Sequence, residues 1–397
     1  MEVLYVSPVP FQSVAQRPHH YVRWLHEHFN ARILWIETPP LRYPRLSDLT
    51  TFKYRSFNKI SHQAIDDQSS WLKVLRLPGL PLEPSGLGRL INRRLWRESA
   101  RLIDNWLLNA AETDGDRPPT RWLAVGRPCD AALWLHTRFS SLRLHYDVMD
   151  DVAEFYDGAA RQWVIRCDEE LCTKAELVSV SSLSLQNKYL SRSSNCHYVA
   201  NGLAWGQDLV RSRSAVRVRA ASAQANLERP LIAGYVGSIA SWFDWTLLLK
   251  FHQWMKVHSG RPFEIHLTGP LHEVPPKDLP KEIYIHRPVE HKAIWDELAK
   301  FDVALIPFKK NRLTEAVDPV KYYEYRALGL PVLSSAFGDM ALRDKDDGVY
   351  FFEELLDGRL RLDAVLGSKL DQDSEFLEQQ CWENKFSVIQ DLIADPG

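Results

Sequence analysis

Several things are missing from this 397-residue chain, and each absence narrows what it can be. No apolar run approaches the roughly 20 residues that span a bilayer. The opening segment, Met1 to Pro10, has neither a basic lead nor a long apolar core, so it does not read as a signal peptide. The five cysteines (Cys129, Cys167, Cys172, Cys196 and Cys381) make no metal-ligand pattern, and a reduced cytoplasmic protein is the plain reading. Lys and Arg number 49 against 51 Asp and Glu, so a net charge of -2 gives no global pull toward nucleic acid. The dinucleotide fingerprint G-x-G-x-x-G is absent, which argues against a nicotinamide enzyme. No internal repeat or low-complexity segment interrupts the chain.

What is present suits two ordinary domains with full cores: 45% of residues are hydrophobic and 25% charged. Glu2 to Val6 reads as a strand, Tyr21 to Phe29 as a helix and Ala31 to Glu37 as a second strand, the opening of a doubly wound sheet. The loop between them, with Gln16-Arg17-Pro18-His19-His20, falls at the carboxyl edge of that sheet, where such folds bind ligands. Further strands are expected at Arg121 to Pro128, Leu142 to Tyr146 and Glu176 to Ser182, with helices at about Ala153 to Lys174 and Leu183 to Leu190. The fourth strand runs into Asp147-Val148-Met149-Asp150-Asp151. Trp205 to Pro230 is polar and basic and reads as an exposed connection. Beyond it, Leu231 to Val236, Pro262 to Pro270, Glu282 to Val289 and Val303 to Phe308 are strands alternating with helices, which means a second parallel sheet. The predicted layout is a first domain over 1–205, a linker at 206–230, a second domain over 231–374, and a terminal helix at 375–397.

The most informative stretch is Asn311 to Pro331. Asp318-Pro319 is a helix start signal, a capping acceptor followed by proline, and Gly329 with Pro331 is the matching stop. A helix that begins just after the strand at Val303 to Phe308 offers free backbone N–H groups and a positive dipole end, which suits phosphate. Lys321 sits in the first turn. Glu324 lies three residues on, on nearly the same face. A cation placed for phosphate and a carboxylate placed for sugar hydroxyls is what a nucleotide-sugar site needs. At the other end of this domain's first strand, Gly237 reads either as a plain turn glycine or as the point where backbone approaches a diphosphate.

The segment PVKYYEYRALGLPV resembles the donor-binding segment of GT-B glycosyltransferases of the broad bacterial family 4 kind. YDVMDD, the serine-ending strand after it, "V-x-NG" at Val199 to Gly202 and the GYVGSIASWFD opening at Gly234 to Asp244 occur in the same order in that family. The likeness covers most of the chain and is weakest from Arg42 to Thr120. It implies an α/β GT-B fold, two Rossmann-like doubly wound domains facing each other across a cleft. It implies transfer of a sugar from a nucleoside diphosphate sugar, UDP among them, to a glycan or lipid-linked acceptor in bacterial cell-surface polysaccharide synthesis. On this resemblance Lys321 contacts the diphosphate and Glu324 the ribose, with Gly237 and Ser238 at the phosphates and Arg287 and Val289 at the base. Arg17, in a loop resembling the family's "QRP", contacts donor phosphate or acceptor, and His20 faces the cleft. The family often has two glutamates eight positions apart; the earlier position here is Ala316, with Glu315 and Asp318 out of register. No metal and no other cofactor is expected, since no D-x-D arrangement stands out on a donor loop.

The catalytic candidates are Asp150 and Asp151. Either takes the acceptor's proton in an inverting reaction, or serves only to cap the following helix; a retaining reaction would need no such base. Two other identities share the pattern: a GT-B sugar-nucleotide epimerase and a non-catalytic partner subunit. Trp71 to Arg101 carries seven basic and two acidic residues, with Leu87, Leu90, Ile91, Leu95 and Trp96 interleaved at roughly helical spacing. That suits the headgroup zone of an anionic membrane on the inner cytoplasmic face, and it equally suits a helix with a solvated basic face.

Overall fold

The computed structural model describes residues 1–13, 15–41, 66–67, 70–108, 119–204, 207–225, 228–289, 293–367 and 374–394. The basic pieces RYPRL and FKYRSF lie outside the described residues. The chain forms two units. One comprises Met1–Ser181, Leu185–Val199 and Phe386–Gly397; the other comprises Ser182–Ser184 and Ala200–Lys385.

The first unit is built on eight strands: β1 (Glu2–Ser7), β2 (Arg32–Glu37), β3 (Asp66–Asp67), β4 (Leu72–Arg76), β5 (Arg121–Val125), β6 (Arg143–Val148), β7 (Leu177–Val180) and β8 (Cys196–Tyr198). Their order across the sheet is β3-β4-β2-β1-β5-β6-β7-β8, and only the β3–β4 pair is antiparallel. Helices α1 (Arg17–Phe29), α2 (Gly86–Leu108), α3 (Asp130–Arg138), α4 (Gly158–Lys174) and α5 (Leu183–Leu190) connect them. Every residue of β1 is buried, as a strand covered on both faces requires. Register pairs Val3 with Ile33 on one side and with Trp122 on the other. The tail closes this unit's core: the Phe386 ring packs edge-on against Tyr21, 5.3 Å between centroids, and against Trp24.

The second unit has a six-stranded parallel sheet: β9 (Leu231–Val236), β10 (Phe263–Thr268), β11 (Ile283–His286), β12 (Val303–Ile306), β13 (Val332–Ser334) and β14 (Val349–Phe351). The order is β11-β10-β9-β12-β13-β14. The chain therefore moves outward from β9 in one direction, then returns and continues outward from β12. The crevice between the carboxyl ends of β9 and β12 is a topological switch point, the place where doubly wound sheets take ligands. Its helices include α6 (Gln207–Ala225), α7 (Trp245–His258), α8 (Ile294–Leu298), α9 (Arg312–Glu315) and α10 (Val320–Leu328).

Two local readings of the sequence are corrected. The stretch taken for an exposed connection is mostly α6, and it belongs to the second unit. Leu209, Ser212 and Val216 are buried at a spacing of three and four residues, and Arg219 pairs with Asp302. Three small or apolar residues on one stripe were enough to seat a helix whose overall composition is polar. Secondly, Arg17 is not in a loop. It opens α1 with Pro18 as the second residue, four residues before the expected start at Tyr21.

Candidate functional site

Gly237 follows β9 with φ at 148°, a region that L side chains rarely adopt. A Cβ there would stand 2.6 Å from Nζ of Lys321 and closer still to its Cε. Gly269, the turn after β10, also has a positive φ, 150°, and a Cβ on it would stand 2.7 Å from the carbonyl carbon of Gly237. The two turns thus meet backbone on backbone, and the lysine lies against Gly237. The sequence reading found Gly237 and missed Gly269. Its signal was a glycine directly after the strand FEIHLT, the same position that Gly237 holds after β9. Ser238 is half-buried, and its carbonyl accepts a 2.7 Å hydrogen bond from the Tyr235 hydroxyl, which fixes the turn.

Lys321 is the second residue of α10, and Glu324 stands one turn along. Both side chains are half-buried. Neither the ammonium nor the carboxylate has a hydrogen bond or ion pair with any described residue. The ammonium lies 5.6 Å from the centroid of the Tyr235 ring. Burial lowers the Lys321 ammonium below the ordinary lysine value, and Glu324 opposes that only in part. Burial pushes the Glu324 carboxyl up to about 6, against the pull of Lys321. Two charged groups crowded by protein, with no hydrogen bond or ion pair to a described residue, are a mark of a site built for something else. The first turn of α10 carries backbone amides that a helix leaves without internal acceptors, although that of Tyr322 bonds the Pro319 carbonyl at 3.0 Å.

Asp318 does not cap α10 as the sequence suggested. The N-cap is Pro319 and has no side-chain cap bond. Asp318 is buried, accepts hydrogen bonds from the Tyr323 hydroxyl (2.7 Å) and the Asn201 amide (3.0 Å), and pairs with Arg343 at 2.8 Å. The Asn201 side chain returns a bond to the Asp318 carbonyl. This network fastens the "V-x-NG" turn to the start of α10 and so sets where Lys321 stands. Asn201 and Asp318 are separated by 117 residues, which is why spacing did not reveal the network. Glu315 is exposed and Ala316 buried, so neither supplies a second carboxylate here. Gly329 ends the helix in the left-handed conformation, φ 80°, as read. Arg287 and Val289 follow β11, at the same sheet edge but two strands from β9; Arg287 is exposed and Val289 half-buried.

In the first unit, Arg17 is committed inside the fold. It is 3% exposed and forms a fork-like pair with Asp147, with nitrogen–oxygen distances of 2.8 to 3.2 Å, and donates a 2.7 Å bond to the Val199 carbonyl. The role expected for it, contact with phosphate or acceptor, is thus replaced by a structural one. Asp147 also accepts from Ser179 at 2.6 Å, and Ser179 and Tyr21 flank His145 at 2.8 Å each. Burial alone would raise the Asp147 carboxyl, but the Arg17 guanidinium outweighs it and holds the group below the usual range. Burial drops the His145 imidazole to about 4, so it is neutral at physiological pH. His20 is half-buried in the first turn of α1. Its neighbour His19 braces the preceding loop, bonding the Phe11 carbonyl at 2.9 Å and accepting from the Gln16 amide at 3.2 Å.

Asp150 and Asp151 stand just beyond β6. Their surroundings separate them. Asp151 is ion-paired with Lys188 at 2.8 Å. The Met149 carbonyl accepts from Ser181 at 2.6 Å, which anchors the loop. Asp150 keeps part of its surface in solvent, and its carboxylate has no hydrogen-bond partner among the described residues. Protein packed around it pushes the group up to about 7; Arg17 offsets this in part and Asp151 adds to it. Neither aspartate makes a side-chain cap bond to the short 3-10 turn Val152–Phe155. Among the described residues no group of three His, Cys, Asp or Glu is gathered as a metal site would need. All five cysteines are free and buried.

No family model matches this sequence, and no curated protein matches it. Solved structures of similar fold are found along nearly the whole chain. Sucrose-phosphate synthase from Thermosynechococcus elongatus aligns with a TM-score of 0.63 at 14% identity, covering 99% of this chain and 98% of that one. HepE from Anabaena, in complex with UDP and glucose, aligns at 0.55 and 13%, covering 99% and 98%. A trehalose-6-phosphate structure from E. coli bound with UDP-2-fluoro glucose aligns at 0.57 and 11%, covering 99% and 95%. Identities this low establish the fold alone: the chain has the two parallel-sheet units of the GT-B glycosyltransferase architecture.

Proposed function

We propose that the protein is a glycosyltransferase that moves a sugar from a nucleoside diphosphate sugar to a glycan or lipid-linked acceptor, in the synthesis of a bacterial cell-surface polysaccharide. One observation carries the reading. Lys321 and Glu324, both crowded and neither with a hydrogen bond or ion pair to a described residue, stand at the start of a helix, the lysine against the Gly237 turn, at the switch point of a doubly wound sheet. A diphosphate fits the lysine, the glycine turns and the helix N-terminus. A ribose fits the carboxylate. Ser238 extends the phosphate contacts, and Arg287 and Val289 flank the base. Solved structures of similar fold hold UDP with glucose and UDP-2-fluoro glucose, which supports a uridine nucleotide as the first donor to try.

In the proposed reaction the acceptor oxygen bonds to the anomeric carbon as the carbon–phosphate-oxygen bond breaks. The acceptor's proton passes to Asp150. The nucleoside diphosphate leaves with its new charge met by Lys321 and the α10 amides, a task that asks for no metal. An in-line displacement with a carboxylate base inverts the sugar. The reaction belongs on the cytoplasmic side of the membrane, where a lipid-linked acceptor presents its sugar end. Lys321 and Glu324, without a hydrogen bond or ion pair to a described residue, speak against a non-catalytic subunit.

A thermal-shift screen over UDP-, GDP- and ADP-sugars tests the donor reading. A ligand at ~100 times its dissociation constant adds about 2.7 kcal/mol of stability. An unmoved melting temperature with every nucleotide sugar and with UDP and GDP alone would remove the proposal.

A further inference from the structure

The outer face of α2 takes no part in that chemistry. Its inner stripe, Gly88, Asn92, Trp96, Ser99, Ile103 and Trp106, is buried. On the opposite side Leu90, Arg94, Arg97 and Arg101 follow at steps of four, three and four residues, one continuous stripe on a helix. Leu87 and Leu90 are 70% and 67% exposed. Other arginines nearby are engaged: Arg93 with Asp130, Arg138 with Asp104, and Arg89 over the Trp163 ring. Arg94, Arg97 and Arg101 are exposed and make no hydrogen bond or ion pair with a described residue. Glu98 is the one acidic residue between them. A cleft of about 750 Å³ runs along the stripe, with Trp134 and Arg138 on its far wall.

We infer that this face docks on an anionic phospholipid bilayer. The three arginines hold headgroup phosphates, in and beside the cleft, while Leu87 and Leu90 enter the boundary layer. Charge complementarity selects the occupant. Three like charges without acidic partners suit a uniformly negative sheet better than a protein surface of mixed charge. The exposed leucines select a bilayer over a soluble phosphate, which has no use for them. No described helix is long and apolar enough to cross a membrane, so the attachment is peripheral and reversible.

Co-sedimentation of the full chain with vesicles tests this. Vesicles of phosphatidylcholine alone and of phosphatidylcholine with phosphatidylglycerol are compared at low and high salt. Binding is expected only with phosphatidylglycerol, and it falls as salt rises. The triple variant Arg94→Glu, Arg97→Glu, Arg101→Glu weakens partitioning on the order of 100-fold or more, since each basic residue near an anionic surface is worth roughly a factor of five. The double variant Leu87→Ser, Leu90→Ser weakens it too and leaves a residue of binding that salt abolishes. Unchanged melting temperatures show that both variants fold. Failure to sediment with anionic vesicles at low salt overturns the inference, as does equal sedimentation of the triple variant. Self-association without lipid that disappears in the leucine variant assigns the face to a second copy of the chain, and overturns it as well.

Discussion

Lys321 lies across the backbone of Gly237, its Nζ 2.6 Å from where a β-carbon on that glycine would be. The residues are 84 positions apart (321 minus 237), and each makes sense only with the other. The glycine is there because the lysine occupies the space a side chain would take, and because its φ of 148° is one that L side chains rarely adopt. Gly237→Ala should therefore displace Lys321 and weaken UDP binding by roughly 10-fold or more, the cost of one charge-assisted contact. Calorimetric titration reads it. Retained affinity in Gly237→Ala would mean that the lysine finds its ligand from elsewhere.

Asp150→Asn is expected to leave nucleotide binding intact and to cut sugar transfer by a factor of roughly 100 or more. The pH dependence has a definite sign. The base acts when ionised, so turnover should climb as pH rises through about 7, where the group titrates. Stability runs the opposite way. A carboxyl raised in the fold binds its proton more tightly than in the unfolded chain, so its ionisation costs stability progressively from about pH 4 to 7. Asp150→Asn should accordingly melt higher than the parent at pH 8 and about equally at pH 4. A variant that turns over normally would make Asp150 an ordinary loop carboxylate.

Asp147 is the contrasting aspartate. Its carboxyl is held below the usual range, so the stability it contributes is present above an ordinary aspartate pKa and is lost as pH falls through its lower folded value. Asp147→Ala removes the carboxylate that balances the buried Arg17 guanidinium, which costs about 3–5 kcal/mol. Denaturant unfolding at neutral pH should show that loss, with less difference from the parent in acid. A melting curve unchanged at neutral pH would show that Arg17 finds water, contrary to the burial seen here.

Transfer should proceed at the same rate in excess EDTA, because Lys321 and the α10 amides are assigned the leaving-group charge. An activity abolished by chelation and restored by a divalent cation would reassign that charge.

The strands were legible because parallel strands buried on both faces are short apolar runs, and Leu231 to Val236 was placed to the residue. Gly237, Lys321 and Glu324 were legible because a turn glycine and a helix start carry local signals. What sequence did not disclose depends on distant partners. Arg17 reads as a loop cation until Asp147, 130 positions away, and the Val199 carbonyl are seen to hold it. Asp318 reads as a cap until Arg343, Tyr323 and Asn201 claim it. Asp150 and Asp151 are indistinguishable in sequence; only Lys188, brought beside one of them by α5, tells them apart. The helix α6 was missed because three buried residues, not its composition, decide its fold.

The central claim is that Lys321 and Glu324 receive a nucleoside diphosphate. Calorimetric titration of UDP and GDP into the parent, Lys321→Ala and Glu324→Ala measures it directly. The account predicts binding of one nucleotide by the parent, weakened roughly 10- to 100-fold in Lys321→Ala through loss of a charge-assisted bond. Glu324→Ala should weaken it as well. The parent's affinity should fall below about pH 6, as the Glu324 carboxylate takes up its proton. Equal affinity in the parent and both variants would contradict the account.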